Sequence, residues 1–253
     1  MGTGRMGAWL TEELCWDHEV CVHDADPRRM KYFIKVRRAL DLAEAADFTP
    51  ELFINCVTLG DTVQAFEAAL PHLPADCVLA DIASVKTGFA EYYRGVGRPF
   101  VSTHPMFGPT FANIRDLAAE SAVLISESDA RGKAFFRDFY EGLGIRVFEY
   151  GFEEHDRMIA YSLATPFAST MVFAACMKRQ ETPGTNFRRH MAIAKGLLSE
   201  DDRLLSEIMF NPHTARQLDL IGSKLAYLKH IIAQKDYEEM RKFLDSLRAN
   251  IAE

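Results

Sequence analysis

The stretch Asp81–Thr110, DIASVKTGFAEYYRGVGRPFVSTHPMFGPT, decides how the chain is read. Cys77 to Ala83 and Phe100 to Thr103 are apolar runs, with Ser84 following the first and His104 the second. Between them Val85 to Val96 spaces aromatics and charges as a helix does, so the unit reads strand, helix, strand. Strands joined in this way run parallel and end on one edge of the sheet, where ligands bind in open α/β folds. Ser84 and His104 are therefore expected on that edge, a hydroxyl beside a base.

Toward the N-terminus, Gly2-Thr3-Gly4-Arg5-Met6-Gly7 is a GxGxxG that opens a helix over Ala8 to Leu14, with an apolar strand at Val20 to Val22 and then His23-Asp24. Glycines of this spacing allow a tight turn and the close approach of a pyrophosphate, which rests on the helix N-terminus. An acid about 20 residues further on holds the adenine ribose, and Asp24 is so placed. GxGxxG alone is a weak signal, because glycine turns often serve packing. The helix, strand and acid together favour a dinucleotide. Asp24 favours NAD by repelling a 2′-phosphate, while Arg28 and Arg29 keep NADP open. The strand that should precede Gly2 is absent, so the sheet is expected to lack its central member, as from a clipped or mis-started N-terminus.

Phe53 to Val57 reads as a buried strand ending at Thr58, a third polar residue for the ligand edge, or a cap of the amphipathic helix Asp61 to Leu70. Residues 30 to 50 are polar and helix-leaning. After His104 come strands at Ala122 to Ser126 and Ile145 to Tyr150, with a helix over Ala130 to Gly142 between them. From Phe152 onward only helical periodicity is visible, over 153–180, 186–198, 201–210, 213–234 and 236–251, punctuated by Pro183-Gly184 and Asn211-Pro212. The expectation is a Rossmann-type α/β dinucleotide-binding domain at 1–151, followed by an all-α domain at 152–253.

The chain has 253 residues, is 48% hydrophobic and 26% charged, and carries a net charge of −7. That balance argues for a globular protein and against a nucleic-acid or membrane surface as partner. No apolar run approaches membrane-spanning length, and no signal peptide is visible. Five scattered cysteines form no CxxC, which suits reduced thiols and no zinc site, hence a cytoplasmic location.

His104 suits a general base, because an unperturbed imidazole titrates near pH 6.5. A lone histidine is more often structural; its position opposite Ser84 favours catalysis. No GxSxG elbow surrounds Ser84, so a hydrolase nucleophile is disfavoured. Lys86, placed in the first turn of the next helix, suits a carboxylate or the cofactor, or is a solvated surface charge. Arg188 or Arg189, but not both, can face a cleft, since neighbours on a helix diverge by about 100°. An arginine so placed clamps a carboxylate. Glu154-His155-Asp156 opens the long helix, where acids suit the helix dipole and His155 is a further candidate near the cleft.

Together SVK (84–86), HPMFGP (104–109), EHD (154–156) and FRRHMAIAKGLLSEDDRLLSEIMFNP (187–212) resemble prephenate dehydrogenases of tyrosine biosynthesis, over nearly the whole chain. The resemblance implies oxidative decarboxylation of prephenate to 4-hydroxyphenylpyruvate with NAD, and a homodimer paired through the C-terminal helices. It implies that His104 takes the proton of the ring hydroxyl, that Ser84 and Lys86 support the catalytic group, and that Arg188 binds a substrate carboxylate, with Thr110 and His155 on the substrate side. The glycine motif, the acid and the strand end give the cofactor to Gly2, Thr3, Gly4, Arg5, Met6, Gly7, Asp24 and Thr58, and no metal is expected. Thr110 stands where relatives often carry an acid, and Pro166 where many carry a histidine. Arogenate dehydrogenase and a non-catalytic dinucleotide-binding relative are the alternatives.

Overall fold

The computed structural model describes residues 1–108, 116–178 and 180–252; Thr110 lies outside the described residues. In chain order the elements are α1 (Arg5–Leu14), β1 (Cys21–Val22), β2 (Arg37–Arg38), α2 (Leu42–Ala46), β3 (Leu52–Asn55), α3 (Thr62–Ala69), β4 (Val78–Asp81), α4 (Phe89–Val96), β5 (Phe100–Pro105), β6 (Ser121–Ile125), α5 (Ala130–Gly142), β7 (Arg146–Tyr150) and α6 (Phe152–Ile159), then α7 (Thr165–Cys176), α8 (Thr185–Leu197), α9 (Asp202–Met209), α10 (Thr214–Gln234) and α11 (Tyr237–Asn250). Two compact units emerge. The first is Met1–Ile159 with Glu200–Asn211, and the second is Ala160–Ser199 with Pro212–Glu253. Thus α6 and α9 pack with the α/β part, across the boundary drawn at 151 from the change of periodicity.

In the first unit a five-stranded sheet runs β3-β4-β5-β6-β7. Strands β3, β4 and β5 are mutually parallel, β6 is antiparallel to β5, and β7 is parallel to β6. Every residue of β4 is buried because helices cover both faces of the sheet. Val78 and Ala80 join Trp9 and Leu10 of α1 and Phe136 and Tyr140 of α5. Leu79 points the other way, into Phe66 of α3 and Phe89 and Tyr93 of α4. Each large side chain so buried contributes roughly 1.5–3 kcal/mol.

The strand β1 pairs with the short β2 in a separate two-stranded sheet. Met1 and Gly2 run between this pair and β3: the Met1 amine donates to Ile54 O, Cys56 N to Met1 O, and Gly2 N to His23 O. Met1 and Gly2 thus lie between the two-stranded and the five-stranded sheet.

Three local expectations change. The helix read from Val85 begins at Phe89, since Val85 and Lys86 form a buried loop instead. Residues 30 to 50 contain β2, whose Arg37 and Arg38 are exposed and carry no apolar signal. The stretch Phe152–Cys176 is one continuous helix, with a π-helical turn at Ala160–Ala164, and is long and apolar enough to cross a membrane by length and composition alone. Its first two turns bury His155 and Asp156 in the first unit.

The second unit is helical throughout its described residues, built from α7, α8, α10 and α11. Phe173 of α7 meets Phe187 and His190 of α8, and Tyr227 of α10 meets Phe243 of α11.

Candidate active site

The glycine turn comes first in sequence and is built by close approach. Gly2 sits at φ +84°, in the region that side chains rarely adopt, and a Cβ there would meet the Cys56 backbone at 2.9 Å. A Cβ at Gly7 would lie 1.9 Å from Gly2 O, so the first turn of α1 closes directly on the loop. A Cβ at Gly4 would meet nothing within 4 Å, and Gly4 caps α1 without a side-chain bond. Among the described residues the space beside Gly4, at the start of α1, is open. That is the cradle a pyrophosphate requires, and the residues fit a dinucleotide.

Asp24 is largely consumed by this loop. Its Oδ2 accepts from Thr3 N at 2.7 Å and Thr3 Oγ1 at 2.9 Å, and its Oδ1 accepts from Asp26 N at 2.9 Å. Burial pushes the carboxyl upward, but these bonds outweigh it and hold it below the usual range. Donors among the described residues thus take three of the roughly four acceptor positions of a carboxylate. Met6 packs on the core cluster and Arg5 pairs with Glu200 at 3.0 Å, so within the motif the backbone, more than these two side chains, faces the cradle. Thr58 Oγ1 donates to the Asp61 carboxylate, and Thr58 precedes a short 3-10 turn without capping it through its side chain.

Lys86 is a buried residue, with its side chain at 0% exposure. Its Nζ donates to Asp81 Oδ1 at 2.6 Å and to Thr103 O at 2.7 Å, and Tyr93 OH donates to Asp81 Oδ2 at 2.7 Å. Burial pulls the ammonium below the usual lysine range against the attraction of Asp81. Neither the substrate role nor the solvated charge foreseen for Lys86 matches this position. It ties the end of β4 to the carbonyl preceding His104.

His104 lies inside β5, on the same edge as Ser84 beyond β4, because β4 and β5 are parallel neighbours. Among the described residues no hydrogen bond joins the two side chains. The partner of His104 is His155: Nδ1 of one lies 3.0 Å from Nε2 of the other. His155 Nδ1 in turn lies 3.0 Å from Asp156 Oδ1. Asp156 is fixed by three further bonds. Lys86 N donates to Oδ1 at 2.7 Å, Thr87 Oγ1 to Oδ2 at 2.6 Å, and Asn211 Nδ2 to its carbonyl at 2.8 Å. The motifs SVKT and EHD, far apart in sequence, thus meet at one carboxylate.

Burial pushes His104 well below 6.5, and His155 and Lys86 add to the effect. Burial also lowers His155, opposed by Asp156. For Asp156 burial acts upward, but the bonds from His155, Thr87 and Lys86 N prevail and keep it ionised. Both ring nitrogens of His155 are engaged, which leaves none for a substrate and corrects the expectation for that residue. Asp156 is buried, so the helix dipole alone does not explain it. Asp81, Thr103 and Asn211 were not singled out from sequence; only the interruption of apolar runs by Asp81 hinted at a buried charge.

Arg188 belongs to the second unit, where it is exposed, with NH1 on Pro183 O at 3.0 Å and NH2 on Thr185 Oγ1 at 3.3 Å. Arg189 is exposed as well. In the first unit, Phe107 of the loop after His104 packs edge-on against Trp9 of α1, with ring centroids 5.2 Å apart, so the base-bearing strand and the nucleotide helix share one core.

Fold and site together define a Rossmann-type nucleotide-binding domain with a buried histidine pair at the edge of its sheet, joined to a helical unit. The chain belongs to the prephenate dehydrogenase family, the model of whose nucleotide-binding domain matches residues 12–143, more than half of the sequence. It is 25% identical over 153 residues to a T-protein of Enterobacter agglomerans, covering 57% of this chain and 40% of that one. It is 22% identical over 209 residues to a probable arogenate/prephenate dehydrogenase of Methanocaldococcus jannaschii, covering 77% and 46%. The chain therefore spans less than half the length of these curated relatives. Among solved structures, prephenate dehydrogenase from A. aeolicus, in complex with hydroxyphenyl propionate and NAD+, has the same fold at TM-score 0.84 and 18% identity, covering 98% of this chain and 94% of that one. Synechocystis arogenate dehydrogenase aligns at TM-score 0.76 and 19% identity, covering 98% and 96%.

Proposed function

We propose that the chain is an NAD-dependent prephenate dehydrogenase of tyrosine biosynthesis, converting prephenate to 4-hydroxyphenylpyruvate with loss of carbon dioxide. The observation that carries this reading is His104, a buried imidazole 3.0 Å from His155 at the ligand edge of a mostly parallel sheet, beside the glycine cradle. The cradle of Gly2–Gly7 with Asp24 would hold NAD, which, when bound, accepts the hydride from ring carbon 4 of the substrate. His104 receives the proton of the hydroxyl on that carbon as the hydride departs. Carbon dioxide then leaves, the electrons of its bond aromatise the ring, and the ring oxygen takes a proton back. Positioning and proton removal are thus the protein's main tasks.

Ser84 steadies the hydroxyl, and Lys86 acts at one remove by holding the end of β4 against Thr103. Arg188 binds a substrate carboxylate: among the described residues two of its five N–H donors have partners, Pro183 O and Thr185 Oγ1. NAD is favoured over NADP because Asp24 is ionised and Arg28 is already paired with Asp26 at 2.9 Å. Thr110 offers no charge to the ammonium of arogenate, which favours prephenate. We place the enzyme in the cytoplasm, where its five free thiols stay reduced.

The substrate assignment is tested by comparing kcat/KM for prephenate and arogenate with NAD. Prephenate is expected to be the better substrate. A strong preference for arogenate would move the chain to the aminated substrate with the same chemistry.

A further inference from the structure

Building on His104 as the base, we propose that His155 and Asp156 are a positioning pair that locks His104 as its Nδ1–H tautomer and so makes Nε2 the proton-accepting nitrogen. The polarity follows from the acceptors. An ionised carboxylate only accepts hydrogen bonds, so His155 presents Nδ1–H to Asp156 Oδ1, 3.0 Å away. Neutral His155 then has a lone pair at Nε2. The only way to bond across the 3.0 Å to His104 is for His104 Nδ1 to donate. The opposite polarity would set a lone pair of His155 against the carboxylate, or require a protonated Asp156. The latter conflicts with the Lys86 N–H and the Thr87 hydroxyl, both of which donate to the same group.

The pair acts through His104, since both nitrogens of His155 are occupied. When His104 gains a proton at Nε2, the charge of Asp156 stabilises the imidazolium through the intervening ring, and the proton does not travel further. Charged and titratable neighbours on the surrounding elements are Asp81 of β4, Lys86 in the following loop, Tyr93 of α4 and Tyr140 of α5. Lys86 and Asp81 compensate one another, and Tyr140 reaches Thr103 Oγ1 at 3.2 Å. Asp156 therefore supplies the net negative charge on this line.

Two arms test the proposal on the whole chain. Long-range 1H–15N correlation of the imidazoles, at a pH where both rings are neutral, should show His104 and His155 each protonated at Nδ1. A His104 ring protonated at Nε2 overturns the proposal, whether or not the protein turns over prephenate, so failure here is distinct from failure of the enzymatic reading. In the kinetic arm His155→Leu should lower kcat by about 10²-fold or more, toward the full general-base contribution, with KM little changed. His155→Gln, which keeps an acceptor for His104 Nδ1–H, should recover a large part. Asp156→Asn preserves acceptors for Lys86 N and His155 but removes the charge, so it should lower kcat and move the acid limb of kcat/KM to lower pH. Equal losses in the Leu and Gln variants with an unmoved acid limb would make the pair merely structural and overturn the proposal.

Discussion

His104 illustrates how much chemistry depends on what stands behind a side chain. Its imidazole is buried, neutral and tied at Nδ1, so replacing it by asparagine removes the base while leaving the glycine cradle untouched. His104→Asn should lower kcat by about 10²–10⁴-fold with no change in the NAD dissociation constant from a binding titration. Lys86 gives the complementary case. Lys86→Met would strand the Asp81 carboxylate in the core, at a cost of about 3–5 kcal/mol in urea unfolding. Lys86→Met combined with Asp81→Asn should cost less, because no unpaired charge remains. From the sequence, the positions of His104 and Ser84 on one edge were legible, because strand ends are written in apolar runs. The partners of His104 and Lys86 were not. Asp156 and Asn211 lie about 50 and 110 residues downstream of His104, and periodicity places elements without pairing buried polar groups across them.

At the scale of elements, α1 shows what a motif does and does not contain. The spacing of GxGxxG predicted a turn and a helix start, and both are present, with the helix beginning at Arg5. The glycines divide the work in a way their letters do not reveal. Gly7→Ala would press a Cβ onto Gly2 O, and should lower the melting temperature and abolish nucleotide binding together. Gly4→Ala has free space around it, so unfolding should change by no more than about 0.5 kcal/mol, while NAD affinity falls as the methyl enters the cradle. A calorimetric melt and a nucleotide titration on each variant check both. The helix after Ser84 starts four residues later than its pattern suggested, because Gly88 takes a left-handed conformation, φ +85°, that interrupts a helix. The strand β2 was illegible for a simpler reason: two exposed arginines carry no burial signal.

For the molecule as a whole, the buried histidines set the acid side of stability. His104 and His155 both sit below 6.5 through burial, so the unfolded chain binds more protons than the folded one below that pH. Stability should thus be complete above about pH 6.5 and decline as the pH falls below it. Chemical unfolding between pH 5 and 8 should show the slope, and His104→Asn should reduce it. The second unit leaves apolar side chains such as Val172, Ile193, Leu218, Leu220, Leu225 and Ile232 exposed. We propose that a second copy covers them, so light scattering should give twice the chain mass, and a monomer at micromolar concentration would contradict this.

The most direct test of the account as an enzyme is to mix the chain with NAD and prephenate and follow NADH absorbance together with 4-hydroxyphenylpyruvate. Both are expected to accumulate in equal amounts, with the rate collapsing in His104→Asn. Saturable NAD binding without any NADH formed from prephenate or arogenate would contradict it.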